Sequence, residues 1–235
     1  GESCSGNHAG GTCDCRHESR PTQGCLVVKN LTQQAILDRF DQLGLSKPRE
    51  IERHASYVDL LRRWNKVVNL TSLQIDPLVP EAIDRLVIEP VVSASLVTTG
   101  QTVTDIGTGG GSPALPFAVE SKASELTMVE SRTKKCAFLR EAARVLEIQS
   151  TTVEARFEDA ASIESIRGVS HFVTVRAVRI DVAVLRLVEH VLEPHGRILR
   201  FATREDELLP ERMAIISKTQ LIPGGSGELQ TVILV

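Results

Sequence analysis

No apolar run in these 235 residues approaches the ~20 that a membrane-crossing helix needs. That excludes a helical membrane protein. The beginning of the sequence lacks the basic and apolar regions of a secretory signal, so the expected location is the cytosol. A surplus of either charge is missing too, the net being −3. That predicts no strong whole-molecule attraction for nucleic acid, and any contact of that kind must come from a local basic patch. No internal repeat is visible. Paired C-x-x-C spacing is also absent, although Cys4, Cys13, Cys15 and Cys25 crowd residues 1–25 with His8 and His17. This stretch has no apolar period and reads as a mobile Gly/Ser-rich leader with incidental thiols. Zinc ligation is the alternative, and a disulfide is disfavoured in a reducing cytosol. No metal site is assigned. Cys136 stands alone in a predicted helix and reads as a small buried hydrophobe.

What is present suffices for a fold. Apolar residues make up 42%, which argues against disorder, and the length fits one α/β domain with an appendage. The chain is organised around residues 103–113, V-T-D-I-G-T-G-G-G-S-P. A short apolar run ends in Asp105, glycines follow at 107, 109 and 111, and Pro113 suits the first turn of a helix. That reads as strand, tight turn, helix. The glycines let the backbone turn sharply and let a ligand approach with no Cβ in the way. The helix should aim free N–H groups at the same spot. Dinucleotide folds use G-x-G-x-x-G and set a pyrophosphate there. Here the spacing is G-x-G-x-G, and a carboxylate two residues before the first glycine repels a pyrophosphate but suits a cation. A second acid, Glu130, ends the next predicted strand and can accept the ribose hydroxyls of an adenosine. The pair points to a nucleoside cofactor, with S-adenosylmethionine preferred over NAD.

Three helices should precede the turn. The first runs from near Thr32 to Leu43, with Ile36, Phe40 and Leu43 on one face and Gly44 at its stop. The second, after Ser46, carries Tyr57, Leu60, Leu61, Trp64 and Val68 inward and Arg53, Arg62, Arg63 and Lys66 outward. The third opens on Asp76 as N-cap with Pro77 at its first position, and holds Leu78, Ile83, Leu86 and Val87. From 103 onward strands at 103–106, 126–129, 151–155, 172–175 and 197–202 alternate with helices at 113–121, 133–147, 158–166 and 181–192. Phe138, Leu139, Ala142, Val145 and Leu146 should face inward on the second of these helices, and Leu185, Val188 and Leu192 on the last. Residues 193–196 read as a turn. Alternation implies a parallel sheet covered on both faces. The end, 213–221 and 229–235 joined by a Pro/Gly-rich turn, has no helix between its strands and should be an antiparallel hairpin. The expected divisions are a leader at 1–28, a helical cap at 29–98 and an α/β domain at 99–235.

Trp64, Asn65, Lys66 followed by Asn69, Leu70, Thr71, then the turn at 105–109, then Lys134, Lys135 with Phe138, Leu139, Arg140, then Val175, Arg176, Ala177, resemble the RsmG family, formerly called GidB. The similarity covers about residues 55 to 205. The resemblance implies a class I S-adenosylmethionine-dependent methyltransferase fold, a Rossmann-like and mostly parallel seven-stranded sheet with a terminal antiparallel hairpin. It implies methylation of guanine N7 in small-subunit (16S) ribosomal RNA, with that RNA or the 30S particle as partner. The chain departs from the family pattern at Pro80 and Glu81, where a basic pair is usual, at Arg85 after the retained Asp84, and at residues 200–203. Those positions are expected to face RNA, so phosphate contacts there should be weakened. A methyltransferase of this fold on another RNA or a small molecule, and a non-catalytic RNA- or partner-binding relative, are the alternative readings.

Guanine N7 carries a lone pair and no proton, so its methylation needs no general base. The absence of an Asn-Pro-Pro-Tyr-type amine clamp and of a catalytic cysteine pair agrees with that. Asp105, Gly107, Thr108, Gly109 and Gly111 would hold the methionine end of the cofactor and Glu130 the ribose; the alternatives are an Asp capping its own turn and a solvated surface acid. Arg156 and Phe157 would flank the adenine, or pack locally. Arg176 closes the fourth strand; the resemblance makes it the candidate for gripping the target guanine or its phosphate, against a salt bridge to Asp105 or Glu130. Lys66, Lys134, Lys135 and Arg140 are candidates for RNA contact; Arg144 shares the basic helix surface of the last three, and a merely solvated face, the commoner case for such runs, is the alternative. Trp64 reads as core, with stacking on a base the alternative. His54, His171, His190 and His195 carry no assignment.

Overall fold

The computed structural model describes residues 23–121, 123–202, 209–225 and 227–235, with side chains from residue 31 onward. Cys4, Cys13, Cys15, His8, His17 and Thr203 lie outside the described residues. Helix α1 (Gln23–Gln42) begins before the expected leader boundary at 28 and ends where expected, with Gly44 at φ +65°. Helix α2 spans Ile51–Asn65. After it the chain does not enter a helix at Asp76 and Pro77. Ile75 and Leu78 form an isolated antiparallel bridge around that pair, and helix α3 (Pro80–Ile83) starts from an extended Val79 with Pro80 in its first turn. The expected proline at the first helical position is found three residues later, because a second proline follows the first, but the expected Asp cap is not: Val79 stands there and makes no side-chain cap bond.

The helix then widens. Residues Asp84–Ile88 form a π turn, α4 covers Glu89–Ser93, and Ala94–Leu96 close as a 3₁₀ turn. Pro90 explains the widening. It has no N–H to donate, and its ring would collide with the carbonyl four residues back in a regular α-helix. The N–H of Glu89 reaches the Asp84 carbonyl instead. Asp84 is also fixed from outside: Arg39 of α1 grips its two carboxylate oxygens at 2.8 and 2.7 Å.

The remaining elements alternate as expected. They are β1 (Thr102–Ile106), α5 (Ala114–Glu120), β2 (Glu125–Glu130), α6 (Thr133–Val145), β3 (Ser150–Glu154), α7 (Phe157–Ala160), a 3₁₀ turn at Glu164–Ile166, β4 (Ser170–Arg176), α8 (Val182–Val191), β5 (Leu192–Ala202), β6 (Met213–Gln220) and β7 (Glu228–Leu234). The seven-stranded sheet has the order β3-β2-β1-β4-β5-β7-β6. The pairs among β1 to β5 are parallel, and β7 runs antiparallel between β5 and β6. The expected turn at 193–196 lies inside β5 as an irregularity, where pairing with β4 shifts register and His195 takes φ +70°.

Strand alternation sends side chains to two cores. Leu126 and Met128 of β2 and Phe172 of β4 join the cap helices, α5 and α6 in one cluster. Val129, Val173 and Val175 join α7 and α8 in the other. The cap therefore shares the core of one sheet face. On α6, Val145 points to solvent while Phe138, Leu139, Ala142 and Leu146 are buried. On α8 Val184, Leu187 and Val191 are buried together with the expected Val188 and Leu192, and the expected Leu185 is partly buried against the same cluster. The outward arginines of α2 also have partners: Arg53 donates to the Leu146 carbonyl and Arg62 to the Ile75 carbonyl. No helix among the described residues is long and apolar enough to cross a membrane.

Candidate active site around the glycine turn

The chain leaves β1 toward β2 on one side and returns to β4 on the other, so the crevice outside the carboxyl ends of β1 and β4 is the topological switch point. The turn at 107–112 sits there. Gly107 has φ +73°, and a Cβ on it would come within 2.6 Å of Val178 Cγ2 and 3.5 Å of Phe157 Cζ. Gly110 faces the other way, where a Cβ would meet the Leu70 carbonyl oxygen at 2.8 Å. Backbone passes on one flank and side chains press on the other, which only glycine permits.

The loop behind that carbonyl is built by the W-N-K-x-x-N-L-T segment. Asn65 Oδ1 accepts the N–H groups of Leu70 and Thr71 at 2.8 and 3.1 Å, and its Nδ2 donates to the Thr71 carbonyl at 3.2 Å. Trp64 packs edge-on against Phe138, with ring centroids 5.9 Å apart, and donates to Glu141 at 3.1 Å. It ties α2 to α6. Tyr57, fully buried, donates to the Gly110 carbonyl at 2.8 Å.

Four N–H groups of the turn are taken up within the protein. Those of Gly107 and Thr108 reach the Val129 carbonyl, that of Gly111 the Thr108 carbonyl, and that of Gly109 the Glu130 carboxylate at 3.0 Å. They hold the shape of the turn. What the turn offers a ligand is close approach. Two cavities open beside it. One, of about 330 Å³, is lined by residues 70–73, Arg85, Leu86, Gly107, Thr108, Gly109, Gly110, Ser112, Arg176 and Ala177. The other, of about 420 Å³, is lined by Ser131, Arg132, Arg156, Phe157 and Glu158. Gly107, Thr108 and Gly109 thus reach the first wall, and Arg156 and Phe157 the second. Gly111 is buried against Leu115 and Tyr57, and Gly110 takes its place on the wall.

Glu130 is buried at the end of β2. Its two oxygens accept from Gly109 N and Arg132 N, one bond each. A carboxylate has further lone-pair sites, so hydroxyl groups of a ligand can still be accepted. Asp105 lies beneath the turn, 1% exposed, and lines neither cavity. Its Oδ1 accepts the Thr174 hydroxyl at 2.5 Å, across the β1–β4 register in which the two residues pair. Burial pushes its carboxyl up to about 6, against the pull of the Thr174 and Thr108 hydroxyls and of Arg176.

Arg176 ends β4. Its ion-pair partner is Glu89 of α4, not Asp105 or Glu130: Nη2 donates to Glu89 Oε2 at 2.6 Å. Nη1 donates to the Arg85 carbonyl and to Ser112 Oγ at 3.1 Å, and Phe201 lies under the guanidinium at 4.4 Å. The Arg85 carbonyl is available because residue 90, its partner in a π turn, is proline. Arg176 Nε is buried and has no partner. Burial lowers the guanidinium to about 10, with Glu89 opposing, so it stays cationic at neutral pH. Burial raises Glu89, with Arg176 and Arg85 opposing. Gly227, in the connection before β7, presses on this carboxylate so closely that a Cβ there would overlap Glu89 Oε1.

The basic candidates are spread out. Lys135 Nζ lies 3.8 Å from where a Cβ on Gly109 would be. Lys66, at the end of α2, and Lys134, on the first turn of α6, are exposed and line neither cavity. Arg140 is paired with Glu154 at 3.1 Å. Pro80 and Glu81 are exposed at the start of α3, and Arg200 donates to Gln230 within the sheet at 2.9 Å. Sequence reasoning missed Glu89, Ser112 and Thr174. A proline thirteen residues past the expected helix start was the one available signal that something irregular stood at 84–90.

A family model described as GidB, rRNA small subunit methyltransferase G, matches residues 50–223. Ribosomal RNA small subunit methyltransferase G of Xanthomonas oryzae pv. oryzae is 32% identical over 187 residues, 76% of this chain and 83% of that protein. The protein of the same name from Neisseria gonorrhoeae is 32% identical over 190 residues, 78% of this chain and 87% of that one. Among solved structures, a SAM-dependent methyltransferase from Aquifex aeolicus superposes with a TM-score of 0.51 at 13% identity, covering 66% of this chain and 94% of that chain. At that identity the likeness is one of fold, and it agrees with the strand order in giving a class I, Rossmann-like methyltransferase sheet. The match over most of its length, set on that sheet, makes this chain a member of the ribosomal RNA small subunit methyltransferase G family.

Proposed function

We propose that the two cavities hold S-adenosylmethionine across the glycine turn, and that the chain transfers its methyl to guanine N7 in 16S ribosomal RNA, with the 30S particle as substrate. Bound there, the cofactor supplies an electrophilic methyl on a sulfonium. Gly109, where nothing in the protein crowds the place of a Cβ, gives room for its close approach, Glu130 would accept the ribose hydroxyls, and Arg156 and Phe157 would flank the base. Asp105 places a buried negative charge under the cationic end.

The observation that carries this reading is the makeup of the first cavity. Among the described residues, no Asp, Glu, His, Cys or Tyr lines it. It has nothing to remove a proton with. Guanine N7 has none to lose, and the positive charge passes from sulfonium to purine without any net charge appearing. Holding the two reactants in line is then sufficient, and positioning of this kind supplies several kcal/mol. Arg176 must leave the N7 lone pair free, and its cation is held to the wall by Glu89 and Ser112.

Methyl transfer from labelled S-adenosylmethionine to intact 30S particles, 16S ribosomal RNA and free nucleosides tests it, followed by mapping of modified guanines. One 7-methylguanine in the particle or its RNA is expected. A chain that binds the cofactor and labels neither would overturn the assignment.

A further inference from the structure

We propose that Arg85 is a phosphate-binding residue, and that it fixes the RNA phosphate adjoining the methylated guanine. This rests on the functional reading above. Arg85 stands in the π turn, and its side chain, 27% exposed, opens on the cavity that also holds Arg176, Ser72 and Ser112. Its recorded ion pair is Nε to Glu89 Oε2 at 3.8 Å, too long for a charge-assisted hydrogen bond. That same oxygen is already 2.6 Å from Arg176 Nη2. Two guanidinium groups therefore share one carboxylate, which stands behind the wall, and among the described residues no carboxylate lines the cavity itself. The wall carries two cations and no anion of its own, at a place half removed from water.

The two arginines differ in freedom. Arg176 is clamped by Glu89, the Arg85 carbonyl, Ser112 and the Phe201 ring. Arg85 has donors to give and an open approach. A planar fork with an unbalanced charge recognises a phosphate oxygen pair better than a neutral base edge. The hydroxyls of Ser72 and Thr71 on the same wall add uncharged donors. The widened helix matters here, since it brings the Arg85 carbonyl onto Arg176 and sets the Arg85 side chain at the cavity mouth.

The test is equilibrium binding of the full chain, loaded with S-adenosylhomocysteine, to 30S particles over a potassium chloride series. Arg85→Ser should weaken binding about tenfold at low salt. It should also reduce the slope of log K against log salt by about 0.7, the value for one phosphate on a single strand. KM for the particle should rise with kcat little changed, and Arg85→Lys should restore most of the slope. A circular dichroism spectrum and a cofactor titration like those of the unaltered chain exclude misfolding. A variant whose slope matches the unaltered chain overturns the phosphate site, whether its affinity is kept or is lost equally at every salt concentration. An unaltered chain that binds particles but transfers no methyl overturns the functional reading instead, and the slope still reports on Arg85.

Discussion

Ionised Asp105 is costly to the fold without a cation above it. Between its ordinary 3.8 and about 6 the folded chain holds the proton more tightly than the unfolded chain does. This group's contribution to stability is therefore largest at the acid end of that window and is lost as pH rises through it. A positive charge set over the turn favours the carboxylate and reverses the balance. Cofactor affinity is accordingly expected to climb as pH rises toward about 6, by up to about tenfold per unit, and to level off above about 7. Calorimetry at pH ~6 in two buffers of different ionisation enthalpy reads the released proton directly. Asp105→Asn should weaken binding and flatten the profile. Affinity for the cofactor that does not change with pH in the unaltered chain would remove Asp105 from the account. Glu120 behaves in the opposite sense. Burial alone would raise it, but hydrogen bonds from His54 and Arg49 outweigh burial and hold it at about 2, so its contribution is lost only in strong acid.

Among the elements, the segment from Pro80 to Leu96 decides how the site is assembled, and Pro90 decides its shape. Pro90→Ala restores an N–H that competes for the carbonyls now facing Ser112 and Arg176. Methyl transfer should fall by about tenfold or more through misplacement of Arg176, while cofactor affinity stays within about twofold. Steady-state kinetics with a parallel cofactor titration separates the two, and unchanged kcat/KM would refute the role given to the π turn. This segment is also where sequence reading stopped short. Strands β1, β2 and β4 were legible because each is a run of apolar residues between turn signals, and the hairpin because two such runs flank a Pro/Gly turn. Asp105, Glu130 and Arg176 were legible because a charged residue ending an apolar strand stands out. Glu89 was not, since a carboxylate inside a helical pattern looks like an ordinary outward charge and only its distant partner Arg176 explains its burial. The start of α3 went astray for a local reason, two prolines three residues apart offering two equivalent first turns. Val145 was misjudged because a 3.6-residue period leaves a one-position choice that packing settles.

For the whole molecule, the main fact is that the cap has no core of its own. Ile36, Phe40, Tyr57 and Leu61 belong to the same cluster as Phe117, Phe138 and Phe201. Cap and sheet should therefore unfold together. Phe40→Ala is expected to cost about 3–5 kcal/mol and to leave one transition in urea. Trp64, the single tryptophan, sits at the α2–α6 contact and reports on the cap, while far-ultraviolet circular dichroism reports on everything. Midpoints that separate between the two signals would mean that the cap is an independent unit. The final hairpin is bound into the same whole by its least conspicuous residue. Gly227 rests on the carboxylate that steers Arg176, so the connection between β6 and β7 is two different places for an engineer. A peptide tag grafted at the exposed tip, Pro223 and Gly224, hangs in solvent; the same graft at Gly227 displaces the Glu89 carboxylate.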